Sequence, residues 1–259
     1  MSAIDELFEK TRAENRAVLV GYLPAGFPDV KTSIAAIEAM VSAGVDLVEV
    51  GLPYSDPVMD GPVIQAAADQ ALSNGIRTTD VLEVARASAA TGAPTVVMTY
   101  WNPVERFGVE RFAAELAAAG GAGLITPDLV PDEAAEWIAA SEQHGLDRVF
   151  LVAPSSTDAR LALTADASSG FIYAAAVMGV TGAREQTSSL APTLVERVRA
   201  VTSTPVGVGL GVSNGEQAHE VATFADAVIV GSALVKALHT GGIDGVATLA
   251  AELRAGVER

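Results

Sequence analysis

Val30-Lys-Thr-Ser-Ile-Ala-Ala-Ile-Glu-Ala-Met-Val-Ser-Ala43, followed at once by Asp46-Leu-Val-Glu-Val-Gly-Leu-Pro53, sets the pattern of the chain. In the first stretch Ile34, Ile37, Met40 and Val41 recur at spacings of three and four, the period of a helix with one apolar face. The second is a short, β-branched run ended by Gly and Pro, the mark of a buried strand. Working outward, the same pair recurs. Strands are expected at Val18–Tyr22, Leu47–Leu52, Thr95–Tyr100, Gly123–Thr126, Val149–Ala153, Phe171–Ala174, Val206–Gly209 and Ala227–Val230. Between them helices are expected at Val30–Ala43, Thr79–Ala90, Val109–Ala119, Asp132–His144, Asp158–Ala167, Ala191–Val201, Asn214–Phe224 and Ala233–His239. Flanking helices are read at Ile4–Asn15 and Ile243–Gly256, and an insertion with its own helix at Pro53–Gly75. Strands that alternate with helices imply parallel βαβ units, and eight of them imply an α/β fold of the (β/α)8 TIM-barrel type. A doubly wound open sheet is the alternative, but it has fewer strands and often an early Gly-rich turn.

The 259 residues, 50% hydrophobic, suit a single barrel domain spanning 1–259, since α/β barrels commonly reach about 250 residues. Mean hydropathy is +0.35, yet no apolar run approaches the ~18 residues of a spanning helix. Sixteen Lys+Arg against 32 Asp+Glu give a formal charge of −16, a field that repels nucleic acid and anionic membrane surfaces. The absence of cysteine removes disulfides, thiolate zinc sites and cysteine nucleophiles together. Asp5, Glu6, Glu9, Lys10 and Arg12 leave no room for a signal-peptide pattern near Met1, so the expected location is cytoplasmic.

In a barrel, reactive groups stand where strands end. Strand alternation puts Leu47, Glu49 and Gly51 on one face and Val48 and Val50 on the other. With the valines against the outer helices, Glu49 points into the barrel mouth. Desolvation there raises a carboxyl pKa toward the range of general acid–base work. The competing reading is a structural carboxylate paired with an arginine or with backbone amides. In the following loop, Asp60 precedes Gly61-Pro62 and an apolar run, which fits a helix N-cap as readily as a catalytic role. Asp56 before Pro57 reads as a turn residue.

Glycine clusters follow the last three strands: Gly179-Val-Thr-Gly182, Gly207-Val-Gly-Leu-Gly-Val-Ser213 and Gly231-Ser232. One alone marks a turn; three at late strand ends match the barrel phosphate site, where amides and a helix N-terminus hold the anion. Lysine occurs only at Lys10, Lys31 and Lys236, all outside the expected strands, which disfavours Schiff-base chemistry. His144, His219 and His239 fall on helices or their ends, so no metal cluster emerges. Carboxylates, backbone amides and the tyrosines Tyr22, Tyr100 and Tyr173 remain.

The segment Glu49-Val-Gly-Leu-Pro-Tyr-Ser-Asp-Pro-Val-Met-Asp-Gly-Pro62 closely resembles the signature of the tryptophan synthase alpha chain family. Gly179-Val-Thr-Gly-Ala183, Gly209-Leu-Gly-Val-Ser213 and Gly231-Ser-Ala-Leu-Val235 resemble it in the same order, so the likeness spans nearly the whole chain. The resemblance implies a lyase of tryptophan biosynthesis, which cleaves indole-3-glycerol phosphate by a retro-aldol reaction to indole and glyceraldehyde 3-phosphate. It implies Glu49 and Asp60 as the catalytic pair, Glu49 moving protons and Asp60 holding the indole N–H. Tyr22, Met98 and Tyr173 would line the indole end, with Leu210 beside them, and Gly182, Gly211, Gly231 and Ser232 would hold the phosphate. Thr181 would sit in a mobile loop that orders Asp60, and Asp128 at a polar position near the loop after the second strand. Pro53, Asp56 and Asn102 would face a beta chain in an alpha2-beta2 heterotetramer. No cofactor is implied here; pyridoxal phosphate is expected in that partner. Leu210 and Met178 are apolar departures from the family pattern that bear on pocket shape.

Two rival readings stay open on the residues. Another phosphate-binding barrel of the same pathway would want a lysine at a strand end, which this chain lacks. A silent regulatory subunit would have no need of Glu49 and Asp60.

Overall fold

The computed structural model describes residues 1–175, 190–209 and 211–259. Eight parallel strands close on themselves in the order β1 to β8, so the barrel expectation holds and the open-sheet alternative falls. They are β1 (Val18–Pro24), β2 (Leu47–Gly51), β3 (Thr95–Met98), β4 (Gly123–Thr126), β5 (Asp147–Val152), β6 (Ile172–Ala175), β7 (Val206–Gly209) and β8 (Ala227–Val230). The helices are α1 (Ala3–Ala13), α2 (Val30–Ser42), α3 (Pro62–Ser73), α4 (Thr78–Ala89), α5 (Trp101–Phe107), α6 (Val109–Ala118), α7 (Ala135–His144), α8 (Asp158–Ala167), α9 (Leu190–Arg199), α10 (Gly215–Ala222) and α11 (Ser232–Gly256). Closure is direct: β1 pairs with β8 through Val18 opposite Ala227, and with β2 through Tyr22 opposite Glu49.

Strand alternation sorts the apolar residues into two cores. Val18, Val20, Leu47, Val96, Ile125, Val149, Phe171, Ala227 and Ile229 fill the barrel axis. Val48, Val50, Val97, Leu124, Phe150, Val208 and Val228 point outward against the helices, where Ile37, Met40, Leu116 and Trp137 cover them. Apolar side chains therefore fill the axis below the strand ends. The floor is closed as well. Ile4 and Phe8 of α1 join the axial cluster, with the Phe8 ring 5.9 Å from that of Phe171. Helix α1 starts from a reciprocal cap, in which the Ser2 hydroxyl accepts the Asp5 N–H while the Asp5 carboxylate accepts the Ser2 N–H.

Three expected elements differ in detail. The third strand stops at Met98 rather than Tyr100, because α5 starts at Trp101. That helix escapes the periodicity test: it has seven residues, and its Pro103 suits only a first turn, where no intrahelical N–H is needed. The stretch expected as a helix from Asp132 opens as a single 3-10 turn at Pro131–Glu133 before α7. The last two expected helices run together as α11, broken at Gly242, whose φ of +61° and ψ of −153° no helix residue adopts. Among the described residues, no helix is long and apolar enough to cross a membrane.

Candidate active site

Glu49 is in register with Tyr22 on β1 and with Val96 on β3. Val96 belongs to the axial core, so the Glu49 carboxyl shares that inward face one layer nearer the mouth. It is 1% exposed, and its Oε2 has no hydrogen-bond partner among the described residues. The structural reading of this residue required an arginine or amide partner, and Oε2 has neither. Burial pushes its pKa to about 8, with the charge of Asp60 adding to the rise. The carboxyl is thus neutral at pH 7 and carries a proton it can give.

Asp60 lies in the loop between β2 and α3, and its pKa is raised to about 6 by burial, against the opposing hydrogen bond from the Tyr100 side chain. It remains ionised at pH 7. The two acids therefore sit on opposite sides of neutrality, one protonated and one charged, which allows a division of acid and electrostatic duties. The N-cap expectation for Asp60 is not met. The cap of α3 is Gly61, with no side-chain cap bond, and Pro62 opens the helix. Asp60 is instead held from within the helix at its backbone, its carbonyl accepting the Gln65 Nε2–H at 2.7 Å.

Two tyrosines wall the mouth, and each lies on a glycine. A Cβ on Gly51 would meet the Cε2 and Cζ of Tyr22 at 2.6 Å, and one on Gly209 would meet the Tyr173 hydroxyl at 2.6 Å. Both phenols are pushed well above their ordinary pKa by burial, and both feel the charges of Glu49 and Asp60. Met98, at the end of β3 opposite Gly51, packs against both cores. Tyr22, Met98, Tyr173, Glu49 and Asp60 thus converge on one mouth, as expected.

Of the phosphate set, Gly211 has a φ of +76°, Gly231 precedes the first residue of α11, and Ser232 is buried as that first residue. A helix N-terminus presents unpaired N–H groups and a partial positive charge, the binding chemistry an anion requires. Gly231 also borders Tyr22, whose Cδ1 would lie 3.3 Å from a Cβ there, so this N-terminus opens beside the acids. Thr181, Gly182 and Leu210, with Met178, lie outside the described residues.

The expected docking residues divide. Asp56 and Asn102 are exposed, whereas Pro53 is buried. The Asn102 Nδ2–H donates to the Tyr54 hydroxyl at 3.1 Å, joining the loops after β2 and β3. Asp128 is tied to the loop after β3 rather than to that after β2: its Oδ1 accepts the Trp101 N–H at 2.8 Å at the start of α5. Tyr100 stood among the tyrosines left for chemistry by the sequence, but without a specific role. Its phenol oxygen accepts the N–H groups of Val58 at 3.1 Å and Met59 at 3.0 Å. Sequence reading placed it in a strand, which hid a side chain that turns onto the neighbouring loop.

Among the described residues, no group of three His, Asp or Glu side chains could hold a metal ion. His144 pairs with Glu110 at the surface, and His239 stacks on Phe27 with centroids 6.2 Å apart. None of the three lysines is on a strand.

A closed parallel barrel with a desolvated acid, an ionised acid and a helix N-terminus at its mouth has the arrangement of a barrel enzyme. Comparison with known proteins narrows the class. The model of the tryptophan synthase alpha chain family matches residues 8–257. The tryptophan synthase alpha chain of Acidothermus cellulolyticus is 62% identical over 262 residues, covering 100% of this chain and 98% of that one. That of Salinispora tropica is 63% identical, covering 99% and 98%. Among solved structures, Mycobacterium tuberculosis tryptophan synthase superposes with a TM-score of 0.96 at 58% identity, covering 100% of this chain and 99% of that one. A protein from Aquifex aeolicus superposes at 0.93 with 39% identity, with both chains covered in full. The chain belongs to the tryptophan synthase alpha chain family. It is an enzyme subunit that carries the alpha reaction of tryptophan biosynthesis, the release of indole from indole-3-glycerol phosphate, and its counterpart is a beta chain.

Proposed function

We propose that Glu49 is the proton carrier and Asp60 the electrostatic anchor of this cleavage. Protonated Glu49 gives its proton to the indole ring carbon that bears the glycerol chain. The ring becomes a cation, and the Asp60 carboxylate accepts the ring N–H and steadies the positive charge. Glu49, now ionised, takes the proton of the adjacent glycerol hydroxyl. The carbon–carbon bond breaks, its electron pair returns to the ring, and the hydroxyl carbon becomes the aldehyde of glyceraldehyde 3-phosphate. Glu49 ends protonated, ready for another cycle. The observation that carries this reading is the buried, unpartnered Oε2 of Glu49, neutral at pH 7.

The rest of the reading is residue by residue. Tyr22, Met98 and Tyr173 line the indole end, with Leu210 and Thr181 completing the enclosure. The backbones of Gly182, Gly211, Gly231 and Ser232 hold the phosphate. In a chain of charge −16, local amides supply the attraction that the global field does not. Asp56 and Asn102 form the docking face, Pro53 supports it from beneath, and the assembly is an alpha2-beta2 heterotetramer with pyridoxal phosphate in the beta chain. The whole chain acts as one domain, and a phosphorylated substrate, which does not cross membranes, suits a cytoplasmic enzyme. An indole-release assay on indole-3-glycerol phosphate, with and without a beta chain, tests the reading. Turnover that survives in Glu49→Gln would overturn it.

A further inference from the structure

The loop after β2 carries Asp60 and has little regular structure of its own between Gly51 and α3. The two residues before Asp60 are held by one side chain from the residue that caps α5. The Tyr100 phenol oxygen accepts the N–H of Val58 and that of Met59, at 3.1 and 3.0 Å. The same phenol is hydrogen-bonded to the Asp60 carboxyl. A phenol has one proton to give and two lone pairs to accept with. With the oxygen accepting backbone N–H groups on the two residues before Asp60, the phenol has its proton left for the carboxylate, whose pKa it lowers. Tyr100 itself is fixed: it is 5% exposed, it caps α5 with φ −64° and ψ 157°, and its ring packs on Tyr54 at 5.3 Å. The Tyr54 hydroxyl in turn accepts the Asn102 Nδ2–H, so the clamp continues to the exposed face of α5.

We propose that Tyr100 is a positioning residue of the reaction: its one hydroxyl fixes the backbone of the loop after β2 and, through its proton, keeps Asp60 aimed and ionised. This rests on the reading of Asp60 as the anion that steadies the ring cation. The titratable groups facing Asp60 among the described residues are Tyr22 on β1, Glu49 on β2, Tyr100 after β3 and Tyr173 on β6. All four are acids, so among them only a hydrogen-bond donor can favour the ionised form. Glu49 and Asp60 gain no donor from Tyr22 or Tyr173 in the hydrogen bonds described, and burial, joined at Glu49 by the charge of Asp60, drives both carboxyls toward neutrality.

The test is the pH profile of indole release by the full chain with its beta counterpart, for the natural protein, Tyr100→Phe and Asp60→Asn. Tyr100→Phe removes one oxygen and leaves the ring that packs on Tyr54. The expected result is an ascending limb displaced upward by about one pH unit, a descending limb left in place, and a roughly fivefold loss at pH 6 that approaches tenfold at lower pH. The KM should change far less than kcat, since Tyr100 is assigned no part in phosphate binding. Asp60→Asn separates the two ideas. If it keeps the ascending limb, the reading of Asp60 fails. If it removes that limb while Tyr100→Phe leaves the limb where it was, only the role of Tyr100 fails. A uniform drop at every pH in Tyr100→Phe, or a collapsed melting transition, marks a purely structural residue and overturns the proposal.

Discussion

The ring of Tyr22 lies over the α-carbon of Gly51, so close that a single methyl on Gly51 would meet two ring carbons at 2.6 Å. The two residues stand on neighbouring strands, and Gly51 is in register two residues beyond Tyr22, opposite Pro24. The glycine is required for contact with a ring and not for backbone freedom. Without that empty space the phenol could not lie between Glu49 and the start of α11.

Gly51→Ala should therefore swing the Tyr22 ring into the mouth. The cost in stability is about 1–3 kcal/mol, the usual range for overpacking, and KM for the phosphate ester should rise. Combining it with Tyr22→Ala should recover most of the melting temperature. Thermal melting of the two single variants and the double variant checks this, and additive losses would mean that the residues do not press on one another.

Glu49→Gln should lower indole release at least ~100-fold, the lower range for removal of a general acid–base group. It should not unfold the protein. Because the folded-state pKa of Glu49 is about 8 against an ordinary value of 4.5, folding takes up a proton between these pH values. Stability then falls as pH rises through that window, and the burial cost of the charge is fully present above pH 8. The glutamine variant should lose this slope, so melts at pH 6 and pH 9 should differ less than in the natural protein.

Activity should follow a bell with its ascending limb near pH 6, where Asp60 ionises, and its descending limb near pH 8, where Glu49 loses its proton. Initial rates of indole release from pH 5 to 10 measure it. A flat profile over this range would dissociate the two carboxyls from the rate.

Asp60→Asn keeps shape and removes charge. A loss of about 100-fold or more in kcat is expected, the scale of one electrostatic group at a developing charge. The melting temperature should hardly move, because Gly61 and Pro62 start α3 without help from the Asp60 side chain.

Gly211→Asp should spare the fold better than most substitutions, since Asp tolerates a left-handed backbone such as the φ of +76° found there. It places a negative charge where the phosphate is expected. KM for indole-3-glycerol phosphate should rise by about tenfold or more, equivalent to about 1.4 kcal/mol. Unchanged KM would move the phosphate elsewhere.

The barrel was legible because its strands are apolar, β-branched and punctuated by glycine, and all eight expected strands are present with ends shifted by a few residues at most. The inward orientation of Glu49 was legible from alternation once Val48 and Val50 were set against the helices, whereas its role was read from the family resemblance. Less could be read where contacts between loops decide. Nothing in Tyr100 or its neighbours announces that its hydroxyl reaches Val58, Met59 and Asp60, forty or more residues away. Helix α5 was missed because seven residues are too few for a periodicity to register. The plugging of the floor by Ile4 and Phe8 was equally hidden, because an amphipathic leading helix can cover any apolar surface.

That stopper decides the traffic. With Ile4 and Phe8 seated under the axis and layers of Val, Ile and Leu stacked above them, the vessel has one end open and the other corked. On the role proposed for Glu49, a product formed there has no passage down the axis and leaves on the side of the strand ends, where Tyr54, Asp56 and Asn102 form a rim. A partner seated on that rim would stand beside the way out.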